Sequence, residues 1–165
     1  MAADIRMARA NDVDALTAIE NAVFDADRIS KKSFKQLMAS KSAAVLAATS
    51  GSMVRGYAVV LFRAGSQKAR LYSVAAMPGS GPPGLGRALL GAAEDEAARR
   101  GATALRLEVR QDNARAIDLY EKNAYRGIGR IAAYYADGMA ALRYEKSLGP
   151  SNRGAARAAS GTASS

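Results

Sequence analysis

The sequence predicts an α/β (α+β) fold, in which a mixed, mostly antiparallel sheet of about seven strands packs against about four helices. Two observations predict it. In the first half, strand-like segments at 43–49, 53–62 and 68–77 are joined by short glycine turns, which indicates an antiparallel meander. In the second half, a helix over 85–100 leads into an alternating strand over 105–109, and this crossover makes the strands on either side of the helix parallel neighbours.

A strand and two helices precede the meander. Residues 4–9 alternate between apolar and polar side chains and predict the first strand. Asn11 is the predicted N-cap of a helix over 12–24, and Ser30 that of a helix over 31–40. Both side chains are short and polar, as is needed to accept a hydrogen bond from the first helical turn.

The helix over 85–100 follows a proline-containing segment, 78–86, that cannot continue a strand. Gly101 is predicted to end this helix, and its apolar residues are predicted to face inward. The inward set is Leu85, Ala88, Leu89, Ala92, Ala93 and Ala97.

The last part of the fold is predicted to be one helix and two closing strands. Asn113 is the predicted N-cap of a helix over 114–122, and the strands cover 125–131 and 139–145. A loop, 134–138, joins the two strands.

Length and composition favour one domain over 1–148, followed by a disordered tail over 149–165 that is rich in Ser, Gly, Ala and Arg and has no apolar periodicity. Hydrophobic residues make up 49% of the chain, with no Trp and three Phe, which predicts a core of Ala, Leu, Val and Ile. No apolar run is long enough to span a bilayer and the start lacks the apolar block of a signal peptide, so a cytoplasmic protein without a membrane partner is expected.

Two residue types are missing, and their absence restricts the chemistry. The chain has no Cys and no His. This excludes disulfides, thiolate or imidazole metal sites, and Ser-His or Cys-His nucleophilic pairs. We therefore expect no metal, and we expect acid–base chemistry to use carboxylates, Tyr, Lys or water.

The positive charge is unevenly distributed. The net charge is +9, and between Asp27 and Glu94 there is no acidic residue. The basic residues of that segment are Arg28, Lys31, Lys32, Lys35, Lys41, Arg55, Arg63, Lys68, Arg70 and Arg87. A phosphate-rich cofactor, a nucleic acid or an acidic protein would suit this segment. On charge alone, a solvated basic surface is the favoured interpretation.

The segment from Gly79 to Gly86 resembles an anion-binding turn. A glycine-rich turn that opens a helix after a strand presents main-chain N–H groups and the positive end of the helix dipole. The glycine spacing is GxxGxG, whereas the dinucleotide fingerprint is GxGxxG, and no Gly-Lys-Ser/Thr of a P-loop follows. An ordinary turn between a strand and a helix has the same composition.

Three segments carry a family resemblance: VAAMPGSGPPGLGRALL, LRLEVRQDNARAIDLYEKNAYRGIGR and YYADGMAALRYEKSL. They resemble the GNAT N-acetyltransferases, in particular the N-terminal (alanine) acetyltransferases of ribosomal proteins. The resemblance covers residues 1–148 in element order and is strongest over 71–148. It implies a twisted sheet whose fourth and fifth strands splay apart, with acetyl-CoA bound in the cleft between them.

The resemblance also implies where acetyl-CoA binds. Main-chain groups of Val74, Ala75 and Ala76 would face the pantetheine arm and the thioester, and Asn113 would contact CoA. The loop that cradles the pyrophosphate would be Pro82, Pro83, Gly84, Leu85, Gly86 and Arg87. The chain departs from the family pattern here: Gly81 replaces a Gln or Arg, and the two prolines remove two N–H donors. We therefore expect weaker CoA binding than in a loop that has a basic first half.

Two residues correspond to the catalytic positions of this subfamily. Glu108, in Leu-Glu-Val-Arg, stands at the position of the base, and Tyr120 at that of the acid. The N–H of Ala76 is the candidate donor to the oxyanion. Without the resemblance, the favoured interpretation of Glu108 is a strand carboxylate paired with Arg106 or Arg110. The alternative for Tyr120 is a core tyrosine with its hydroxyl at the edge of the core.

In the family, the loop between the first two helices and the loop before the last strand shape the acceptor site. Here those loops contain Phe24, Asp25, Asp27, Tyr134 and Tyr135. The aspartates would attract a cationic amine, and the tyrosines would hold a peptide end. Helix-terminal solvation and loop packing explain the same residues about as well.

Together these features predict transfer of an acetyl group from acetyl-CoA to a primary amine, foremost a protein N-terminal α-amine or Lys, with a ribosomal protein as one candidate partner. A small-molecule amine is the alternative acceptor. A module that binds CoA or nucleic acid without catalysis is the alternative class, although the basic segment lacks the interleaved aromatic residues typical of nucleic-acid binding. A monomer and a homodimer are both compatible with the sequence.

Overall fold

The computed structural model describes residues 3–25, 27–79 and 83–148. The predicted tail over 149–165, and with it the domain boundary at 148, lies outside the described residues, as do Gly81 and Pro82 of the glycine-rich segment.

Over these described residues the fold is a seven-stranded sheet with four α-helices, as predicted. The sheet order is β1-β2-β3-β4-β5-β7-β6, and every pairing is antiparallel except that of β4 with β5. The strands are β1 Asp4–Met7, β2 Ala43–Ser50, β3 Met53–Leu61, β4 Lys68–Ala76, β5 Ala104–Arg110, β6 Arg126–Ile131 and β7 Ala141–Ser147. The helices are α1 Val13–Val23, α2 Lys31–Ala39, α3 Leu85–Arg99 and α4 Ala114–Lys122.

Two apolar cores cover the two faces of the sheet. One contains the buried faces of α3 and α4, with Leu89, Leu105 and Tyr120 among its members. The other lies under α1 and α2 and includes Phe34 and Tyr57, both 0% exposed. The prediction of a purely aliphatic core was therefore wrong, because buried tyrosines and Phe34 supply bulk that Ala-rich strands lack.

The start of α1 differs from the prediction. Asn11 does not cap the helix; it lies in a short 3₁₀ turn, Ala10–Asp12, and α1 begins at Val13. Asp12 is the buried polar residue at this junction, and its carboxylate accepts hydrogen bonds from the Arg9 N–H at 2.7 Å and from Arg6 Nη1 at 2.7 Å. Ser30 and Asn113 cap α2 and α4 as predicted, accepting from Ser33 N at 3.0 Å and Ala116 N at 3.1 Å.

One residue of the predicted inward face of α3 points to solvent. Ala88 is exposed, whereas Leu90, which was not assigned to this face, is 1% exposed. The buried stripe of α3 is Leu85, Leu89, Leu90, Ala93 and Ala97. Burying an Ala removes little apolar surface from water, so alanines indicate the buried face of a helix poorly. Burying the larger Leu90 contributes more, and it determines which face of α3 packs against the sheet.

The two parallel strands separate halfway along their length. β4 pairs with β5 only from Lys68 to Leu71, opposite Ala104 to Leu107, although β4 continues to Ala76 and β5 to Arg110. At this point Val59 and Val60 of β3 pair with Ser73 and Leu71, which leaves Tyr72 as an extra residue on β4. Such a bulge bends the strand that carries it, so β4 turns away from β5 and opens a cleft in the middle of the sheet.

Candidate active site

The cleft continues into a cavity of about 740 Å³. This volume lies within the usual range for ligand sites, about 300–1,000 Å³. β4 and β5 form its walls, and the α1–α2 and β6–β7 loops lie at its rim. The sequence-predicted site residues that line it are Phe24, Asp25, Asp27, Val74, Glu108, Asn113, Tyr120, Tyr134 and Tyr135.

The remaining predicted residues that the structure describes are not among those that line this cavity. Ala75 is buried in the α1–α2 core, and Ala76 packs against the α3–α4 core. Pro83 and Gly84 are exposed in the turn before α3, Gly86 and Arg87 lie in its first turn, and Leu85 is buried in the core. Pro82 falls outside the described residues.

Glu108 lies on β5 with its side chain 11% exposed. Arg70 Nε donates to its Oε1 at 2.7 Å, and Arg143 Nε lies 3.7 Å from its Oε2. The alternative partners proposed from the sequence do not contact it: Arg106 pairs with Glu145, and Arg110 pairs with Asp112 and Asp137. The cations that surround Glu108 therefore come from neighbouring strands instead of its own.

Tyr120, on α4, is 6% exposed, and its ring packs edge-on against that of Tyr125 at 5.7 Å between centroids. It lies on the same helix face as Ala116, which also lines the cavity, while Ala114 is exposed. Burial is the main cause that raises the pKa of the Tyr120 hydroxyl, and the neighbouring Tyr135 adds to it. The hydroxyl consequently stays protonated at neutral pH and can donate a proton.

The rim of the cavity is tied together by hydrogen bonds and ring contacts. Arg70 Nη2 donates to the Tyr134 hydroxyl at 2.7 Å, and the Tyr134 and Tyr135 rings pack edge-on at 4.9 Å. Asp27 Oδ2 accepts from Ala136 N at 3.4 Å, which joins the α1–α2 loop to the β6–β7 loop. The aspartates and tyrosines predicted from the two loops thus lie at one end of one cavity.

The arrangement fits a long, phosphate-bearing cosubstrate that has an amide-containing arm. Beyond Leu71, β4 has lost its partner on the β5 side, and alternate main-chain N–H and C=O groups of the segment 72–76 face the cleft. Gly84 takes a left-handed conformation (φ 78°) as the residue before α3. The first-turn N–H groups of this helix, as at any helix start, have no partner within the helix and can bind an anion.

Sequence reasoning missed several residues of the site. Glu20, Arg70, Tyr72 and Ser73 also line the cavity, and Arg143 reaches Glu108 from β7. A Glu on the apolar stripe of α1 was a usable signal for Glu20, since a charged residue at a core position requires a partner. Among the described residues, no cluster of acidic side chains is suited to hold a metal ion.

The chain belongs to the acetyltransferase (GNAT) family, because the family's sequence model matches residues 13–125. It is therefore an acetyl-CoA-dependent N-acetyltransferase, with acetyl-CoA as cosubstrate. Comparison with curated proteins gave no match.

Solved structures of the same fold agree with this assignment. The ribosomal-protein-S18-alanine N-acetyltransferase from Escherichia coli superposes with a TM-score of 0.78 at 29% identity, covering 89% of this chain and 94% of that one. The ribosomal-protein-alanine N-acetyltransferase from Brucella melitensis gives 0.76 at 25% identity, with 88% and 99% covered. Ard1 from Thermoplasma volcanium gives 0.81 at 23% identity, with 90% and 99% covered.

Proposed function

We propose that this acetyltransferase acts on a protein N-terminal α-amine or a Lys side chain, with Glu108 as general base and Tyr120 as general acid. The observation that carries the proposal is that one cavity brings Glu108 and Tyr120 together with both loops predicted to hold the acceptor. The acetyl group comes from the thioester of acetyl-CoA, and transfer is direct, within a complex that contains both substrates.

Glu108 would remove the proton that makes the acceptor amine unreactive. An amine enters as an ammonium ion at neutral pH, and only its neutral form attacks a thioester. Oε1 of Glu108 accepts a hydrogen bond from Arg70, whereas among the described residues the cation nearest to Oε2 is Arg143, whose Nε lies 3.7 Å away. Oε2 is therefore the oxygen that can accept the proton, directly or through a water molecule.

Tyr120 would supply the proton that the departing thiolate needs. Its hydroxyl forms no hydrogen bond to any of the described residues, 3–25, 27–79 and 83–148. Tyr120 also lines the cavity. A buried phenol that is kept neutral is a suitable donor to a developing thiolate, because it remains protonated at the pH of the reaction. The Ala76 N–H stays the candidate donor to the oxyanion.

The acceptor loops support a protein amine as substrate. Asp25 and Asp27 contribute negative charge where a cationic amine would enter, and Tyr134 and Tyr135 offer flat surfaces and hydroxyl groups for a peptide chain. The likeness to two ribosomal-protein-alanine N-acetyltransferases points the same way. A ribosomal protein N-terminus is accordingly the first acceptor to test.

The test is an acceptor panel with radiolabelled acetyl-CoA: peptides with free and with blocked N-termini, each with and without an internal Lys, and a set of polyamines, amino acids and aminoglycosides. We expect label in peptides and fastest transfer to free α-amines. If peptides stay unlabelled while a small amine turns over, the protein-amine proposal is wrong. If no amine is labelled, the proposed function itself fails.

A further inference from the structure

A second carboxylate, Glu20 on α1, lines the cavity but has no part in the proposed chemistry. It is 2% exposed. The Tyr57 hydroxyl donates to its Oε1, and the Ile29 N–H donates to its Oε2 at 2.8 Å. The Tyr57 hydroxyl also lies 3.1 Å from Ser73 Oγ on β4. Glu20 therefore connects α1, two strands of the sheet and the α1–α2 loop at a single point.

A carboxylate in this position is costly to bury unless each oxygen has a donor. Burial raises the pKa of Glu20, and the hydrogen bonds from Tyr57 and Ile29 oppose that rise. An apolar residue at this helix position would fill the core without such a penalty. The retained carboxylate thus has a function that an apolar side chain cannot perform, namely to accept both hydrogen bonds at once.

The described residues of the segment that Glu20 holds form neither a helix nor a strand. It joins the end of α1 at Val23 to the cap of α2 at Ser30. Within it, Asp27 has a φ of 55°, a left-handed value that is uncommon outside glycine and that Asp adopts more readily than most residues. The contacts that hold the loop include the Glu20–Ile29 bond on one side and the Asp27–Ala136 bond on the other. The Arg28 side chain adds hydrogen bonds to the carbonyl oxygens of Phe24 and Asn21.

We propose that Glu20 is a positioning residue for the acceptor site: its carboxylate fixes the α1–α2 loop through Ile29, and thereby places Phe24, Asp25 and Asp27 at the cavity rim. It touches neither the acetyl group nor the reacting amine. The proposal rests on the proposed function, since it assigns those loop residues to acceptor binding. It predicts that Glu20 controls the affinity for the acceptor and leaves acetyl-CoA binding unchanged.

The test compares full-length Glu20→Met, Glu20→Ala and Glu20→Gln with the wild-type protein. Met fills the space without accepting a hydrogen bond, and Ala neither fills the space nor accepts one. Gln can still accept from Ile29 with its oxygen and donate to Tyr57 with its amide, so that the Tyr57 hydroxyl turns to Ser73. Asp14→Asn is the matched control, because it removes an exposed carboxylate from the same helix.

Three quantities are measured: acceptor KM and kcat with the best peptide of the panel, the Kd of acetyl-CoA, and hydrogen exchange at the Ile29 amide. For Met we expect acceptor KM to rise about tenfold or more, with kcat within about threefold and acetyl-CoA Kd within about twofold, and faster exchange at Ile29. Gln should restore most of the acceptor KM and of the exchange protection. Asp14→Asn should match the wild-type protein.

Two outcomes overturn the proposal. The first is a folded Met or Ala variant with unchanged acceptor KM and unchanged exchange at Ile29. The second is an equal loss of acceptor and acetyl-CoA affinity, or failure of both Met and Ala to fold, since either makes Glu20 a residue of the core alone. If the wild-type protein labels no acceptor, the proposed function has failed, but exchange at Ile29 still decides whether Glu20 holds the loop.

Discussion

Glu108 is the single residue on which the proposed chemistry depends most. Glu108→Gln keeps the shape of the side chain but removes the proton acceptor, so we expect kcat/KM for the acceptor to fall about 10²–10⁴-fold. Acetyl-CoA binding should change little. Glu96→Gln is the control, since Glu96 pairs with Arg99 and Arg100 on the outer face of α3 and does not line the cavity. Equal rates for the two variants would remove Glu108 from the mechanism.

The proposed role of Tyr120 leads to a separate prediction about how turnover depends on pH. Because burial raises its pKa above the ordinary value of about 10, the phenol should remain a proton donor throughout the neutral and mildly alkaline range. Tyr120→Phe should lower kcat about 100-fold, while the wild-type rate should show no loss from Tyr120 ionisation below about pH 10. Turnover at several pH values with a saturating acceptor tests this. A Phe variant as fast as wild type would make Tyr120 a core residue only.

At the scale of residues, a motif in the sequence selected Glu108 and Tyr120 as candidate catalytic residues, but it did not indicate the ion-pair partners of Glu108. The Arg70–Glu108 pair joins β4 to β5, and Arg143 arrives from β7. Local periodicity favoured Arg106 and Arg110 because they share the strand and the face with Glu108. Cross-strand register decides such pairs, and register depends on contacts that are distant in the sequence.

At the scale of elements, β3 lies close to both β4 and α3 at Gly56. A Cβ on Gly56 would lie 2.8 Å from the Ala75 carbonyl oxygen and 2.9 Å from Leu89 Cδ1. Gly56→Ala should therefore lower the free energy of unfolding by about 1–3 kcal/mol. Gly91→Ala, in the middle of α3 with no neighbour within 4 Å of the added Cβ, should instead raise it by about 0.5–1 kcal/mol. Urea unfolding measures both, and a neutral Gly56→Ala would contradict the close approach of β3 to Ala75 and Leu89.

The stabilisation that Asp12 gives to the junction of β1 with α1 should depend on pH. A hydrogen bond from Arg6 is the largest cause that lowers the pKa of Asp12, and the Arg9 N–H adds to it. Since the native pKa is below the unfolded value of about 3.9, the stabilisation is present above that value and is lost as the pH falls through the native pKa. Asp12→Asn should thus cost about 1–3 kcal/mol at pH 7 and much less near pH 2.

The control for this prediction is Asp14→Asn, which removes a carboxylate of an exposed pair with Lys31 and should change stability little at either pH. Chemical unfolding at pH 7 and near pH 2 compares the variants. If the effect of Asp12→Asn were the same at both pH values, the ion pair with Arg6 would not be its cause.

The elements were predictable where one strong local signal existed, as at the Ser30 and Asn113 caps and at the glycine turns of the meander. They were not predictable where two signals compete. Asn11 has a side chain suited to cap a helix, but the buried Asp12 is the residue before α1, and its carboxylate also binds Arg6 of β1. Similarly, Ala88 and Leu90 both fit the helical period of α3, and only packing against the sheet selects Leu90.

At the scale of the whole molecule, acetyl-CoA should stabilise the fold, because we expect it to bind in the cleft between β4 and β5 and so to contact two strands of the same sheet. At about 100 times its Kd, a ligand that binds only the native state adds about 2.7 kcal/mol. For a chain of this size that corresponds to a rise in Tm of roughly 5–10 °C. Thermal unfolding with increasing acetyl-CoA measures it, with free acetate as control. No rise at millimolar acetyl-CoA would contradict cleft binding.

The seven-strand architecture and the parallel β4–β5 pair followed from the order of elements alone, since crossover connections allow few alternatives. The extent of the separation between β4 and β5 could not be predicted from the order of elements.

Among the described residues, none of the helices is long and apolar enough to cross a membrane. The basic residues between Asp27 and Glu94 do not share one environment. Arg70 lines the cavity and Lys68 pairs with Glu145, whereas Lys32 and Lys35 are exposed on α2.

The extra residue at Tyr72 has a consequence for how this protein tolerates change. Before Tyr72, the odd-numbered Ala69 and Leu71 face the α3–α4 core, whereas after it the even-numbered Val74 and Ala76 face that core. The alternation of side chains between the two faces of the sheet therefore shifts by one residue at Tyr72. The active site therefore depends on the number of residues in β4 as well as on their identity. Substitution scans, which preserve length, would not detect this dependence, whereas loss of one codon there would favour a continuous parallel ladder and close the cleft.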